Sequence, residues 1–435
     1  MTPRNGSGVR AATASEGQAP GPTPRGGVAA TLARVGATTD ICFRIVFADG
    51  RVHQTRATPP AFTLTFRSPR AERRVVLFGH VGLFEGYFAG DVDIDGDIAL
   101  AFRAGLDSRY DTVPNALVRW RNRWHEWRYS NRSLAQAKSN ARFHYGHPKR
   151  FYELWLDQPS MLYTCAYWPE GTTTLEEAQR NKMDHVCRKV RLARGDRFVD
   201  IGCGWGGLLF HAWERFGAAG TGINATTEQV EALRAEIDRR GLGGTLSVVE
   251  SDFREIPGRY DKLLSIGTLE HAGPDELPAV IRAHADCLEP GGLGVIHFIG
   301  HVGTRDTEFY IRQHVFPGGW IPSLAQALDA MERCGLEVLD VENLRRHYAL
   351  TLDCWAERFD RRWSEIQALD PRRFDERFRR IWRTYLWSCA EMFRSRHSLT
   401  HLFQVTVSKG NVADRYPMTR AFLYPPSPSA RGPVP

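Results

Sequence analysis

The eight cysteines, at positions 42, 165, 187, 203, 287, 334, 354 and 389, include no CxxC pair. That spacing argues against a zinc site or a disulfide framework and suits a reducing compartment, so no metal is expected. Long apolar runs are missing as well. The most apolar stretch, Gly292 to Gly300, is far too short to cross a bilayer. The N-terminus lacks the apolar core of a secretory signal. The expectation is a cytoplasmic chain that meets a membrane, if at all, peripherally at its inner face. No internal repeat and no recognised RNA- or DNA-binding module is visible, so nucleic acid is not an expected partner.

What is present points to an ordinary soluble globular composition, with 42% hydrophobic and 25% charged residues. A length of 435 residues is too much for one small core and gives a prior of about two or three domains. The net charge of +7 is compatible with an anionic partner, but mildly basic proteins are common and charge alone decides nothing.

Residues 1 to about 30 and 411–435, the latter with "YPPSPSARGPVP", are rich in Gly, Pro and small polar residues and read as disordered. Residues 31–108 suggest a small α+β domain, with a hairpin around Asp49-Gly50 in "ICFRIVFADGRVHQTR". In the next stretch, 109–142, Leu117, Trp120, Trp124 and Trp127 recur at helical spacing among Arg119, Arg121, Arg123, Arg128 and Arg132. Two readings stay open for this basic helical linker. It is either an interfacial helix with tryptophans at a lipid boundary, or a helix that packs those tryptophans on the next domain.

Residues 143–410 alternate strands and helices. Expected strands are Arg197–Ile201, Thr221–Ile223, Leu246–Glu250, Lys262–Ile266, Leu293–Phe298 and Glu337–Val341, with helices starting near Gly206, Thr226, Asp275 and Ser323. This is the pattern of a Rossmann-like, doubly wound parallel α/β sheet with its ligand at the C-terminal strand ends. A helical insertion from about Thr351 to Arg396 precedes a seventh strand, "LFQVTVSKG".

The stretch "FVDIGCGWGG" ends a strand in a glycine turn, with Gly202, Gly204 and Gly207 in the spacing of a dinucleotide fingerprint. That signal is weak alone. Asp200 stands two residues ahead of the first glycine, Gly206 adds another glycine, and Asn224 replaces the ribose-binding acid expected for NAD. "VDIGCGWGG" resembles the first motif of S-adenosylmethionine-dependent methyltransferases, whose cofactor has no phosphates for an acid to repel. Asn224 can still donate to and accept from a ribose, and Asp252 and Phe253 in "ESDFREI" are placed to meet the adenine.

Seven stretches, "MLYTCAYWPEGTTTLEEAQ", "DIGCGWGG", "SIGTLEHAG", "VIHFIG", "FPGGWIPSL", "HYALTLDCWAERF" and "FQVTVSKG", resemble in order the cyclopropane-fatty-acyl-phospholipid and mycolic acid cyclopropane synthases, from about Asn131 to Gly410. "GLFEGYFAGDVD" resembles the N-terminal lipid-binding-like domain of the longer members. The resemblance implies methyl transfer from S-adenosylmethionine to a cis double bond of a phospholipid acyl chain, proton loss and ring closure. It implies a bound bicarbonate as base, held by the backbone of Cys165 and Ile299 and the side chains of Glu270, His297 and Tyr348. It also places Tyr163, Thr164, Gly202, Gly204, Asn224, Gln229, Asp252 and Phe253 around the cofactor. The expected partner is a phospholipid membrane surface, and homodimers occur in the family.

Each residue has a plainer reading. Cys165 fits a small buried hydrophobe, His297 a satisfied core histidine in an apolar strand, and Glu270-His271 a helix-entry pair. One segment departs from the family pattern: "HYGHPKRFY" stands where the relatives have a sequence like "HYDLGNDFY", a loop expected to cover the site. A related lipid C-methyltransferase making a branched chain, or a non-catalytic lipid-binding descendant, are the rival expectations.

Overall fold

The computed structural model describes residues 27–109, 116–414 and 416–424. Of the two terminal stretches expected to be disordered, residues 1–26 and 425–435 lie outside those described, but 411–414 and 416–424 are ordered: Leu423, in the short helix Arg420–Leu423, is buried, and the Val412 N–H donates to Glu337 Oε2 at 2.6 Å. Two compact units divide the chain, Met1–Tyr110 and Asp111–Pro435.

The first unit has one four-stranded sheet of β1 (Phe43–Val46), β2 (Val52–Gln54), β3 (Phe62–Phe66) and β4 (Val92–Gly96), in the order β2-β1-β3-β4. The expected hairpin is present: β1 and β2 pair antiparallel with Val46 opposite Val52, and Gly50 takes the left-handed conformation of the turn with φ +84°. Strand alternation puts Phe43, Ile45, Phe62, Leu64 and Phe66 on one buried face. Helix Gly27–Thr38 covers that face with Val28, Leu32 and Val35, so ordered structure starts a few residues ahead of Thr31. Helix Pro69–Ala89 starts on Ser68, whose side chain accepts from the Ala71 N–H.

In the second unit, β5 (Arg197–Ile201), β6 (Ala219–Asn224), β7 (Leu246–Glu250), β8 (Tyr260–Ile266), β9 (Leu288–His301), β10 (Leu336–Asn343) and β11 (Thr400–Lys409) form a seven-stranded sheet in the order β10-β11-β9-β8-β5-β6-β7. Strands β5 to β9 pair in parallel, and the apolar runs of β5 and of Leu293–Phe298 in β9 reflect burial on both faces, whereas the edge strand β7 alternates buried and exposed residues. The chain builds outward from β5 to β7, then returns to start β8 on the other side of β5, which makes a switch point at the C-terminal ends of β5 and β8.

The sheet is not wholly parallel. Strand β11 runs antiparallel to both β9 and β10. The reason lies in the insertion, helices Arg345–Arg361, Trp363–Leu369 and Glu376–Arg394. The chain leaves the sheet at the end of β10 and re-enters beside it, with Asn343 opposite Phe403, so it never recrosses the sheet and must run back down. The first insertion helix also begins six residues ahead of Thr351 and thereby includes Tyr348. Among the described residues no helix is long and apolar enough to cross a membrane.

Candidate active site

The glycine turn sits at the switch point and leaves no room for a side chain at Gly202, Gly206 or Gly207. Gly202 has φ +75°, and a Cβ there would lie 2.6 Å from Thr268 Cγ2. A Cβ on Gly207 would lie 2.3 Å from the Ser160 carbonyl oxygen, whereas one on Gly204 would meet nothing within 4 Å. The loop therefore presses on the Ser160–Trp168 segment and on the turn after β8, and opens at Gly204. The N–H groups of Gly202 and Cys203 donate to the Ile223 carbonyl of β6, which holds the turn to the next strand.

Asn224 at the end of β6 ties the second half together. Its Nδ2 donates to Gln229 Oε1 at 2.8 Å and to the Gly204 carbonyl at 3.3 Å, while its Oδ1 accepts from the Thr226 N–H. Asp252, after β7, has its carboxylate clamped by Arg254, with Nε to Oδ1 at 2.7 Å and Nη2 to Oδ2 at 2.9 Å. The same guanidinium lies over the Phe253 ring and donates to the Asn131 carbonyl. Lone pairs remain on Asp252, but a share of its charge is already committed.

The segment carrying Tyr163, Thr164 and Cys165 is irregular and is held from behind by helix Leu175–Lys189. Gln179 Nε2 donates to the Thr164 carbonyl at 2.9 Å, and Lys182 Nζ donates to Thr164 Oγ1 at 2.9 Å. An ammonium has no lone pair, so the Thr164 hydroxyl proton is left to point elsewhere. Lys182 is buried and also senses Asp157, Cys165 and Asp200. Asp200 is inside the sheet rather than at its rim. Burial pushes its pKa up to about 7, against the pull of Lys182, and its Oδ2 is buried without a partner. Burial likewise drives the Cys165 thiol far above its ordinary range, so it stays protonated and is no nucleophile.

Around Tyr163 the rings are dense. His144 stacks on it at 5.5 Å, Trp155 and Trp355 meet it edge-on at 5.0 and 5.2 Å, and its hydroxyl donates to Tyr385 Oη at 2.9 Å. Such a wall has several π faces and few charges. The departing segment lies against the same wall: His147 packs among Phe151, Phe374, Phe378 and Trp382, and Lys149 Nζ stands 5.7 Å over the Trp205 ring of the glycine turn.

Glu270 follows β8 on a short turn, Leu269–His271, and its Oε1 accepts from the Ile299 N–H of β9 at 2.7 Å. The amide that the family resemblance assigns to an anion is thus already used by Glu270. As a residue Glu270 is half-buried, yet its free oxygen Oε2 has essentially no exposed surface and no partner. Burial raises this carboxyl to about 7, and the Ile299 N–H pulls the other way. His297, two residues earlier on the same face of β9, is buried, and burial lowers its pKa well below the ordinary value, so it is neutral. With Gln404 Nε2 facing its Nδ1 at 3.0 Å, the ring proton belongs on Nε2, which is buried and unpartnered. Tyr348, in the first turn of the insertion helix, is buried beside Phe393 and Trp355, and burial pushes its phenol well above the ordinary value, with Tyr385, Cys389, Cys165 and Glu270 adding to the rise.

Sequence reasoning missed Gln179, Lys182, His144, Tyr385 and Gln404. Gln179 and Lys182 had a local signal, since both lie within "TLEEAQRNK", one helical turn apart.

A doubly wound sheet of this strand order, with a glycine turn at its switch point, is the Rossmann-like sheet of methyltransferases, and the chain is an S-adenosylmethionine-dependent methyltransferase on the matches that follow. A family described as mycolic acid cyclopropane synthetase matches residues 132–405, and the chain belongs to that family. It is 33% identical over 375 residues to a probable fatty acid methyltransferase of Pseudomonas putida, covering 84% of this chain and 92% of that one. It is 31% identical over 353 residues to the cyclopropane-fatty-acyl-phospholipid synthase of Escherichia coli (strain K12), covering 79% and 87%. The structure of mycolic acid cyclopropane synthase CmaA1 complexed with SAH and CTAB superposes with a TM-score of 0.57 at 27% identity, covering 62% of this chain and 98% of that one.

Proposed function

We propose that this enzyme adds a methylene unit from S-adenosylmethionine across the cis double bond of an unsaturated phospholipid acyl chain, giving a cyclopropane fatty acid, with bicarbonate as base. The observation that carries the reading is the pair of buried, partnerless atoms beside β9, Glu270 Oε2 and His297 Nε2. Buried polar groups are almost always paired, so an acceptor on the residue bonded to the Ile299 N–H and a donor two residues earlier on the same strand suit a small ligand that offers both. Bicarbonate, with one O–H and several acceptor oxygens, is such a ligand. Its binding residues would be Glu270, His297 and Tyr348, with the backbone of Cys165 and, if Glu270 swings aside, of Ile299.

When bound, S-adenosylmethionine supplies an electrophilic methyl group and the anion supplies a base. The chain's own residues do the rest. Tyr163, Thr164, Gly202, Gly204, Asn224, Gln229, Asp252 and Phe253 would hold the cofactor, with Asp200 behind the turn. The rings around Tyr163 exclude water and offer π faces where positive charge develops on the acyl chain. Neutral His297 would donate from Nε2, and Glu270, with its pKa near neutrality, would accept from the anion's hydroxyl. The substrate would come from a membrane surface, with the protein peripheral to it.

A branched product is the second reading. Its support is the relative described as a probable fatty acid methyltransferase, together with the Ile299 amide already taken by Glu270. Lipids from cells expressing the protein are expected to gain acyl chains heavier by one methylene unit and lacking a double bond. Both products carry the same added mass if the branch is an exomethylene, so proton NMR decides. High-field cyclopropane signals support the ring, and vinylidene signals with none at high field overturn it.

A further inference from the structure

Helix Ala116–Tyr129 turns the usual surface helix inside out. Leu117, Trp120, Trp124 and Trp127 follow one another at three- and four-residue steps, which puts them on one face. They are 54, 68, 52 and 67% exposed, while Asn122 and His125 on the opposite side are buried. Among the described residues, every tryptophan that stands exposed is on this helix.

The orientation is fixed from within. Buried Arg312 donates from Nη1 to Asn122 Oδ1 at 3.1 Å and to Glu126 Oε2 at 3.2 Å, and from Nε to the Gly319 carbonyl at 2.8 Å. Asn122 Nδ2 in turn donates to the Thr307 carbonyl. Rolling the helix to bury its tryptophans would strand a buried guanidinium without its partners, and that unpaired charge opposes the rotation. The helix's one acid, Glu126, is thereby spent on Arg312, so the outward face carries exposed Arg119, Arg123 and Arg128 and no exposed acid.

Three tryptophans on one face form a large apolar patch, and such patches mark interaction sites. The mixture of amphipathic rings and cations suits the boundary of a lipid bilayer, where indoles lie at headgroup depth and guanidiniums meet phosphates. The helix also leads directly to the catalytic wall. Asn131, two residues beyond its end, donates to the His271 carbonyl at 2.7 Å, next to Glu270.

We infer that helix Ala116–Tyr129 is the element by which this enzyme docks on an anionic lipid bilayer, with Trp120, Trp124 and Trp127 inserted and Arg119, Arg123 and Arg128 on lipid phosphates. The inference rests on the reading that the substrate is a membrane lipid. Its test uses the full chain with vesicles of phosphatidylcholine alone or mixed with phosphatidylglycerol, and with brominated acyl chains as fluorescence quenchers. Wild type is expected to bind the mixed vesicles and to be quenched. Arg119→Glu/Arg123→Glu/Arg128→Glu should weaken that binding on the order of 100-fold. Trp120→Ala/Trp124→Ala/Trp127→Ala should abolish most of the quenching and weaken binding at least about tenfold. Calorimetric SAH binding, unchanged in both variants, shows that they fold. Vesicle binding equal to wild type in either variant overturns the inference. So does a loss of dimer mass in the tryptophan variant with vesicle binding intact, which would assign the face to a second copy of the chain. If wild type binds vesicles but no SAH, the docking helix stands and the catalytic reading fails.

Discussion

Beside β9, Glu270 and His297 each hold one polar atom buried and unpartnered, whereas on helix Ala116–Tyr129 three tryptophans stand in solvent. Each region reverses the ordinary sorting of polar and apolar groups, in opposite senses. Neither arrangement stabilises the isolated chain. An unpaired buried polar group costs about 1–3 kcal/mol, and exposed rings forgo burial worth a similar amount each. Both are held by strong local contacts, Glu270 by the Ile299 N–H and the helix by Arg312. Cost retained in a rigid setting is what a binding surface looks like before its ligand arrives. The difference lies in the ligand proposed for each: a small polar one inside, an extended amphipathic one outside.

The interior half of this comparison breaks most severely at Glu270. Glu270→Gln keeps the shape and the acceptor for the Ile299 N–H but removes the charge. We expect turnover on unsaturated phospholipid to fall on the order of 100-fold to 10,000-fold while SAH affinity, by calorimetry, changes little. Full activity in this variant would remove Glu270 from the reacting site. A smaller but sharper effect is expected at Gln404. Gln404→Glu replaces the amide N–H facing His297 Nδ1 with an acceptor, which draws the ring proton to Nδ1 and leaves Nε2 a lone pair. Turnover should drop about 10- to 100-fold, as for other groups that orient a reacting ligand, whereas Gln404→Leu should cost less. Nitrogen NMR of the labelled imidazole reads the tautomer directly, and an unchanged tautomer refutes the assignment.

How much of this was legible beforehand follows from the range of the interactions involved. Strand Arg197–Ile201 sits where its apolar run puts it, because burial on both faces leaves an uninterrupted signature, and the edge strand Leu246–Glu250 is marked instead by alternation, with Leu246 and Val248 buried and Ser247 exposed. The reversed direction of β11 was not visible, since it depends on where a long helical insertion returns the chain. The candidate residues Asn224, Gln229 and Gly204 do meet, and Glu270 meets Ile299. Gln404 was missed because its partner His297 is 107 residues away and neither type is unusual in a strand. The tryptophan stripe was visible as a stripe, but periodicity cannot say which way a stripe faces. Arg312, 190 residues from Asn122, decided that.

The mildest expected effect is on stability against pH, and it isolates the buried carboxyl without any substrate. Folding raises the Glu270 pKa from 4.5 to about 7, so below about 4.5 both folded and unfolded chains are protonated there and nothing is lost. Between 4.5 and about 7 the unfolded chain releases this proton while the folded chain keeps it, so stability falls as pH rises. Buried Asp200 runs the same way, whereas Glu342, paired with Lys189 and His185, is held down to about 2 and runs the opposite way. The absolute profile therefore mixes signs, and the difference between wild type and Glu270→Gln is the informative quantity. With no ligand added, the variant's melting temperature relative to wild type should climb by on the order of a few degrees between pH 5 and pH 8. Bicarbonate should narrow that gap by giving Oε2 its missing donor. A difference that stays flat across this range would mean that Glu270 is already solvated or paired, and the contrast between a dry interior and a wet tryptophan face would lose its inner half.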